Sequence, residues 1–388
     1  MRSPKIREQH IAVLGESGSG KTVLVSSFFG PTQEGPYSND LWDLVADDTS
    51  QGNSLYQNYL GMRDDATAPE QTRFDSETYH FSVKLRGRDE KRPIDALRLA
   101  WHDYPGEWFE ESPSGDEEAR RRVDTFRSLL RSDVALLLVD GQRLLDHAGE
   151  EERYLKSLFT NVRQGLLRLK DDLLDGGQPL VEFPRIWILA LSKADLFPDW
   201  DAYTFRDLVV RKAAHHIDEL RTTLRDLVHT PEALSIGEDF MVLSSAKFEL
   251  TADDPAPVAI DVGQRVGLDL ILPVGSLLPL ERRVQWSERM EIPRQVLDKL
   301  ADNAEVLAAA LAGGKIIDTV IARLPKVGPI ARKFVIPALI TAAQSAGPQL
   351  KELNASARDE KDYLTATLTQ FKLDLDQGVS DGLLIRRT

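Results

Sequence analysis

The run Gly15-Glu16-Ser17-Gly18-Ser19-Gly20-Lys21-Thr22 fits the pattern G-x-x-x-x-G-K-[S/T]. Glycines let the backbone curl until successive N–H groups point into one hollow, and a helix that starts there adds positive potential. A lysine at this position reaches β- and γ-phosphates, and the hydroxyl after it ligates Mg²⁺. The chemistry is that of a nucleoside triphosphate. Gly15, Glu16, Ser17, Gly18, Ser19 and Gly20 would cradle phosphate, Lys21 would neutralise it and Thr22 would hold the metal. The competing reading, a glycine-rich turn with no ligand, does not explain why the lysine and hydroxyl fall between an apolar strand and an amphipathic helix.

Three further stretches carry weaker signals. In Asp103-Tyr104-Pro105-Gly106 an acid just past a strand end can hold the Mg²⁺ shell, and a glycine N–H can approach a γ-phosphate. Alone, Asp-x-x-Gly is an ordinary turn. In Ser192-Lys193-Ala194-Asp195 the carboxylate can accept from guanine N1–H and the exocyclic amine together, a donor pair that adenine lacks. The Lys193 stem can cover the purine face. Ser244-Ser245-Ala246-Lys247 supplies small residues whose backbone N–H groups can reach a base carbonyl.

Positioning these residues requires a parallel sheet. Apolar runs at 11–14, 79–85, 97–101, 134–139, 186–191 and 241–243 read as strands, with helical patterns at 21–29, 117–131, 149–174 and 204–228 between them. Such alternation implies an α/β architecture with a mostly parallel sheet and helices on both faces. The run 134–139 has no polar alternation and belongs at the sheet centre; 79–85 alternates, which suits an edge. The roughly fifty residues before position 79 far exceed a short crossover, and 50–61 reads as a helix within them. Residues 253–257 read as a boundary. It divides a nucleotide domain over 1–250, with an insertion at about 30–77, from a mainly helical extension over 251–388. In that extension 262–280 is expected to add a strand or two, and 288–372 to be largely helix.

The four motifs occur in one order, each after a separate strand, at the carboxyl edge where open α/β sheets bind ligands. In this the chain resembles the Ras-like G domain of the P-loop GTPase superfamily over roughly residues 5–250, and looks most like bacterial TRAFAC-clade GTPase domains fused to C-terminal helices. The resemblance implies a protein that binds GTP or GDP with Mg²⁺, hydrolyses GTP and switches shape with the nucleotide. Gly15 to Thr22 would form the phosphate and metal loop. Lys193 and Asp195 would read guanine, with Ser245 and Ala246 supporting the base. Thr22, Asp103 and a switch Thr would hold Mg²⁺, and Thr72 is the choice over Thr67 or Thr78. Lys21, Gly106 and Glu107 would serve hydrolysis. Glu107 stands where Ras-like proteins carry a water-positioning Gln, so slow turnover, or a GTP-binding module with negligible hydrolysis, is the expectation. Arg63 and Arg73 are candidates for an arginine acting in cis, against the commoner role of solvated surface. His102 reads as a strand-end residue with a local hydrogen bond.

Composition excludes other classes. The 388 residues carry 48 basic and 62 acidic side chains, a net charge of -14, which opposes general nucleic-acid binding. The absence of cysteine excludes thiol catalysis, disulfide scaffolds and Cys-ligated metal, and agrees with a reducing, cytoplasmic setting. No secretory signal or membrane span is expected. Residues 306–350 hold one acid, Asp318, against Lys315, Arg323, Lys326, Arg332 and Lys333 in an apolar background. They suit packing on the nucleotide domain first, then a protein partner, and last a membrane surface. Another protein is expected to read the switch segments or the C-terminal helices.

Overall fold

A computed structural model describes residues 8–35, 41–69, 77–85, 94–106, 108, 115–174, 177–180, 186–228, 231, 234–251, 254–279, 281–282 and 360–387. The leading elements are β1 (Glu8–Leu14), α1 (Lys21–Phe29), β2 (Trp42–Ala46), α2 (Thr49–Asp65), β3 (Glu77–Leu85), β4 (Ile94–Asp103), α3 (Asp116–Leu130) and β5 (Val134–Asp140). After them come α4 (Gly141–Asp146), α5 (Glu151–Arg168), α6 (Lys170–Leu173), β6 (Ile186–Ser192), α7 (Ala202–Leu227) and β7 (Ser235–Val242). The chain continues through a hairpin, β8 (Lys247–Thr251) and β9 (Asp254–Asp261), then α8 (Ile271–Ser276), α9 (Glu360–Ser380) and β10 (Leu384–Ile385).

Eight strands form one sheet in the order β10-β7-β6-β5-β1-β4-β3-β2. The five from β7 to β4 are parallel; β3 and β2 extend one edge, and β10 the other, in antiparallel pairing. Every residue of β5 and β6 is buried, as their uninterrupted apolar runs require of strands covered on both faces. One face packs against α3, α4, α5 and α7 through Phe126, Leu144, Phe159 and Phe205. The other packs against α1, α8 and α9 through Phe28, Ile271 and Phe371.

The structure corrects several boundaries. The strand at 79–85 is not an edge: β2, from the long insertion, pairs outside it with Trp42 opposite Leu85. Its alternation instead records two unlike faces. Tyr79, Phe81, Val83 and Leu85 are buried, while Thr78, His80 and Lys84 on the opposite face are partly exposed. The insertion's helix is longer than expected, since Asp48 caps α2 by accepting from Ser50 N and Gln51 N. The helical stretch 149–174 divides into α5 and α6. Residues 254–257, expected at a boundary, begin β9. Where 262–280 was expected to add strands, the chain forms a 3₁₀ turn (Leu268–Leu270) and α8, with a single bridge between Ser244 and Val266. The tail supplies α9 in the helical stretch expected there, but residues 306–350 lie outside the described residues. Among the described residues, no helix is long and apolar enough to cross a membrane.

Candidate nucleotide-binding site

β1 delivers the chain at Leu14, and α1 takes it away at Lys21. Between them Gly18 and Gly20 adopt φ of +81° and +89°, a region where a side chain is strained. Gly15 is fixed by space: a Cβ there would lie 2.5 Å from Ser19 Oγ and 3.0 Å from Leu138 Cβ on β5. The α1 N-terminus has no side-chain cap and no acid in its first turn to offset its dipole. Lys21 Nζ donates to the Gly15 carbonyl at 3.0 Å and the Glu16 carbonyl at 3.2 Å, folded back over the loop.

Asp103 ends β4 beside β1, in register with Val13. Three residues on, Gly106 meets the loop itself. A Cβ there would fall 2.1 Å from Ser17 N, so only glycine permits this approach. Glu107, Thr72 and Arg73 lie outside the described residues. Arg63 pairs with Glu34 and Asp64 at the end of α2, with its guanidinium 5.8 Å from the Tyr59 ring centre. The candidate cis arginine at 63 is therefore engaged by two carboxylates.

On the other side of the loop, β6 ends at Ser192 and Lys193 takes a left-handed conformation, φ +55°. That turn starts the 3₁₀ segment Ala194–Leu196 and presents Asp195. Ser244 Oγ, past the end of β7, donates to Asp195 Oδ1 at 2.7 Å. Lys193 Nζ is held at 2.9 Å by the carboxylate of Asp140, the last residue of β5. Asp140 also caps α4 by accepting from Gln142 N, and its own N–H donates to Tyr154 Oη.

These pieces enclose a cavity of about 330 Å³, within the range of small-molecule sites. Gly18, Ser19 and Gly20 line one end; Lys193, Asp195, Ser245 and Ala246 line the other. Val23, Leu243 and Phe248 add apolar lining. The cavity therefore gathers seven of the residues singled out in the sequence. Gly15, Glu16, Ser17, Lys21 and Thr22 belong to the adjoining loop and helix turn, and Gly106 touches that loop at Ser17.

Sequence reasoning missed Gln142 and Phe248, which line the cavity, and Asp140 and Arg143, which brace it. Arg143 Nη1 donates to Glu16 Oε2 at 2.7 Å and Nη2 to the Ser17 carbonyl at 3.1 Å. The Asp-Gly pair that closes the apolar run 134–139 was the one available signal. Gly141 lies where a Cβ would come 2.6 Å from the Ser192 carbonyl. His102 is a strand-end residue with local hydrogen bonds: Nε2 lies 2.9 Å from His10 Nδ1, and Nδ1 lies 3.1 Å from Thr78 Oγ1. Burial, with His10 and His80 nearby, pushes its pKa down to about 3.

A phosphate loop at the carboxyl edge of a mostly parallel sheet, joined by one cavity to Lys193 and Asp195, defines a P-loop GTPase G domain. The family model for Double-GTPase 2 matches residues 9–228, more than half of the chain, and the chain belongs to that family. GTP or GDP is thus its ligand class. No curated protein sequence matches. Among solved structures, nucleolar GTP-binding protein 1 of Plasmodium falciparum is similar at 11% identity and TM-score 0.32, covering 76% of this chain and 97% of that one. The signal recognition particle receptor SRb-GTP/SRX complex of Chaetomium thermophilum gives 16% identity and TM-score 0.30, covering 64% and 93%. The S. cerevisiae Ski7 GTPase-like domain, bound to GDP and inorganic phosphate, gives 13% and 0.30, covering 62% and 44%.

Proposed function

We propose that the chain hydrolyses GTP to GDP and phosphate with Mg²⁺, and that the bound nucleotide sets a shape read by another protein. The observation that carries this reading is the single cavity shared by the phosphate loop and the Lys193–Asp195 turn. Guanine would lie against Val23 and Phe248, with N1–H and the amine donating to Asp195 and the Lys193 stem over its face. Ser245 and Ala246 would offer N–H groups to the base carbonyl. The loop N–H groups and the α1 dipole would hold the phosphates, and Lys21 Nζ would leave the Gly15 and Glu16 carbonyls for the β- and γ-oxygens.

Mg²⁺ takes hard oxygen donors, and this donor set is of that kind. Thr22 supplies a hydroxyl in the first turn of α1, and Asp103 a carboxylate on the strand beside β1. These two, with Thr72 before β3, would hold the ion. Bound there, it would neutralise charge developing between the β- and γ-phosphates. The Gly106 backbone, close against Ser17, would meet the γ-phosphate end, and the Glu107 carboxylate would accept from the attacking water. Water then bonds to the γ-phosphorus, the bond to the β-bridging oxygen breaks, and GDP and phosphate leave. Loss of the γ-phosphate would release the segments before β3 and after β4, which a partner could sense.

Incubation with GTP and Mg²⁺ tests the proposal. The expected result is one phosphate per GTP at an unassisted rate on the order of 10⁻⁴ to 10⁻² s⁻¹, abolished by Lys21→Ala. Glu107, which lacks the amide donor of a glutamine, favours a second reading in which GTP stays bound and intact. Stable bound GTP with no GDP formed would select that reading. Failure to bind GTP would reject both.

A further inference from the structure

A carboxylate is out of place in a loop that gathers phosphate. Glu16 nonetheless sits in it, with a side chain only 5% exposed. Arg143 answers it, with one guanidinium nitrogen on Glu16 Oε2 and the other on the Ser17 carbonyl. The helix turn that presents Arg143 is itself anchored in the other half of the site. Asp140 caps α4 through Gln142 N at 2.9 Å and receives Lys193 Nζ at 2.9 Å. Residues 140–143 therefore connect the base end of the cavity to the phosphate loop, and Gln142 lines the cavity between them.

We propose that Arg143 is a positioning residue that balances the Glu16 charge and so sets how strongly the site prefers a triphosphate to a diphosphate. The inference rests on GTP occupying the cavity described above. The argument is electrostatic. Removing that guanidinium leaves the buried Glu16 carboxylate less compensated, so it repels the phosphate oxygens more strongly through a poorly screened medium. GTP carries more phosphate charge than GDP and loses more. Arg143 also keeps the Ser17 carbonyl engaged, which leaves the loop presenting N–H groups to the ligand.

The test is titration of GTP and GDP, each with Mg²⁺, into wild type, Arg143→Ala, Glu16→Gln and the double variant. Arg143→Ala is expected to weaken GTP on the order of tenfold to a hundredfold, and GDP less, so the GTP/GDP affinity ratio falls. The double variant is expected to recover most of that ratio, because the buried charge is gone. A role confined to holding α4 in place would not be rescued by Glu16→Gln. An unchanged ratio in Arg143→Ala, or a loss the double variant does not recover, would overturn the inference. Should Arg143→Ala fail to fold, Arg143→Lys against Arg143→Gln carries the same comparison, with only the lysine expected to keep the ratio. Wild type that bound no GTP would instead reject the reading of the cavity, so the two failures are distinct.

Discussion

In the proposed function, single side chains would decide which base the cavity accepts. Asp195 is held by Ser244 Oγ at Oδ1, so its carboxylate is oriented before a ligand arrives. Asp195→Asn replaces an acceptor by a donor. GTP affinity is expected to fall on the order of a hundredfold, while xanthosine triphosphate, which presents a carbonyl there, gains. Competition between the two nucleotides measures the exchange. His102 is expected to contribute to acid stability. Its folded pKa, about 3, lies below the ordinary value of 6.5. The unfolded chain therefore takes up the proton first, and the stability held above pH 6.5 is lost as pH falls toward 3, by up to about 1.4 kcal/mol per pH unit. His102→Gln should flatten thermal melting between pH 6 and 4; an unchanged slope would remove His102 from that role. At this scale the phosphate loop and the Ser192–Asp195 turn were legible, because unusual residue types fall right at strand ends. Arg143 was not. An arginine in a short helix has no distinguishing spacing, and its carboxylate partner is 127 positions away.

Whole elements explain the other departures from the sequence reading. β2 escaped notice because only Leu44 of its five residues is buried, so it offers neither an apolar run nor a full alternation. β9 was hidden by Pro255 and Pro257, which mark breaks in most sequences but are tolerated in a two-stranded hairpin outside the main sheet. By contrast β5 was plain, since burial governs all its residues; α1, expected to be amphipathic, is instead buried on nearly every side and was marked by the phosphate-loop motif before it. α9 gives a test of how the C-terminal elements join the sheet. Phe371 is 2% exposed, and its ring lies 6.0 Å from the Trp42 ring of the edge strand. Phe371→Ala is expected to cost about 3–5 kcal/mol, read from the urea midpoint. A cost below ~1 kcal/mol would mean that α9 rests on the sheet without supporting it.

At the scale of the molecule, the sheet aligns four strand ends so that residues far apart in sequence share one edge. Chain order alone suggested that convergence; only three-dimensional structure shows the cavity between Gly18 and Asp195. The central claim is that one guanine nucleotide bridges both ends of it. The direct measurement is calorimetric titration of GTP into wild type, Lys21→Ala and Asp195→Ala, with ATP as competitor. The account predicts one nucleotide per chain, indifferent to ATP, and weakened by either substitution. Two nucleotides per chain, or wild-type affinity in either variant, would contradict it.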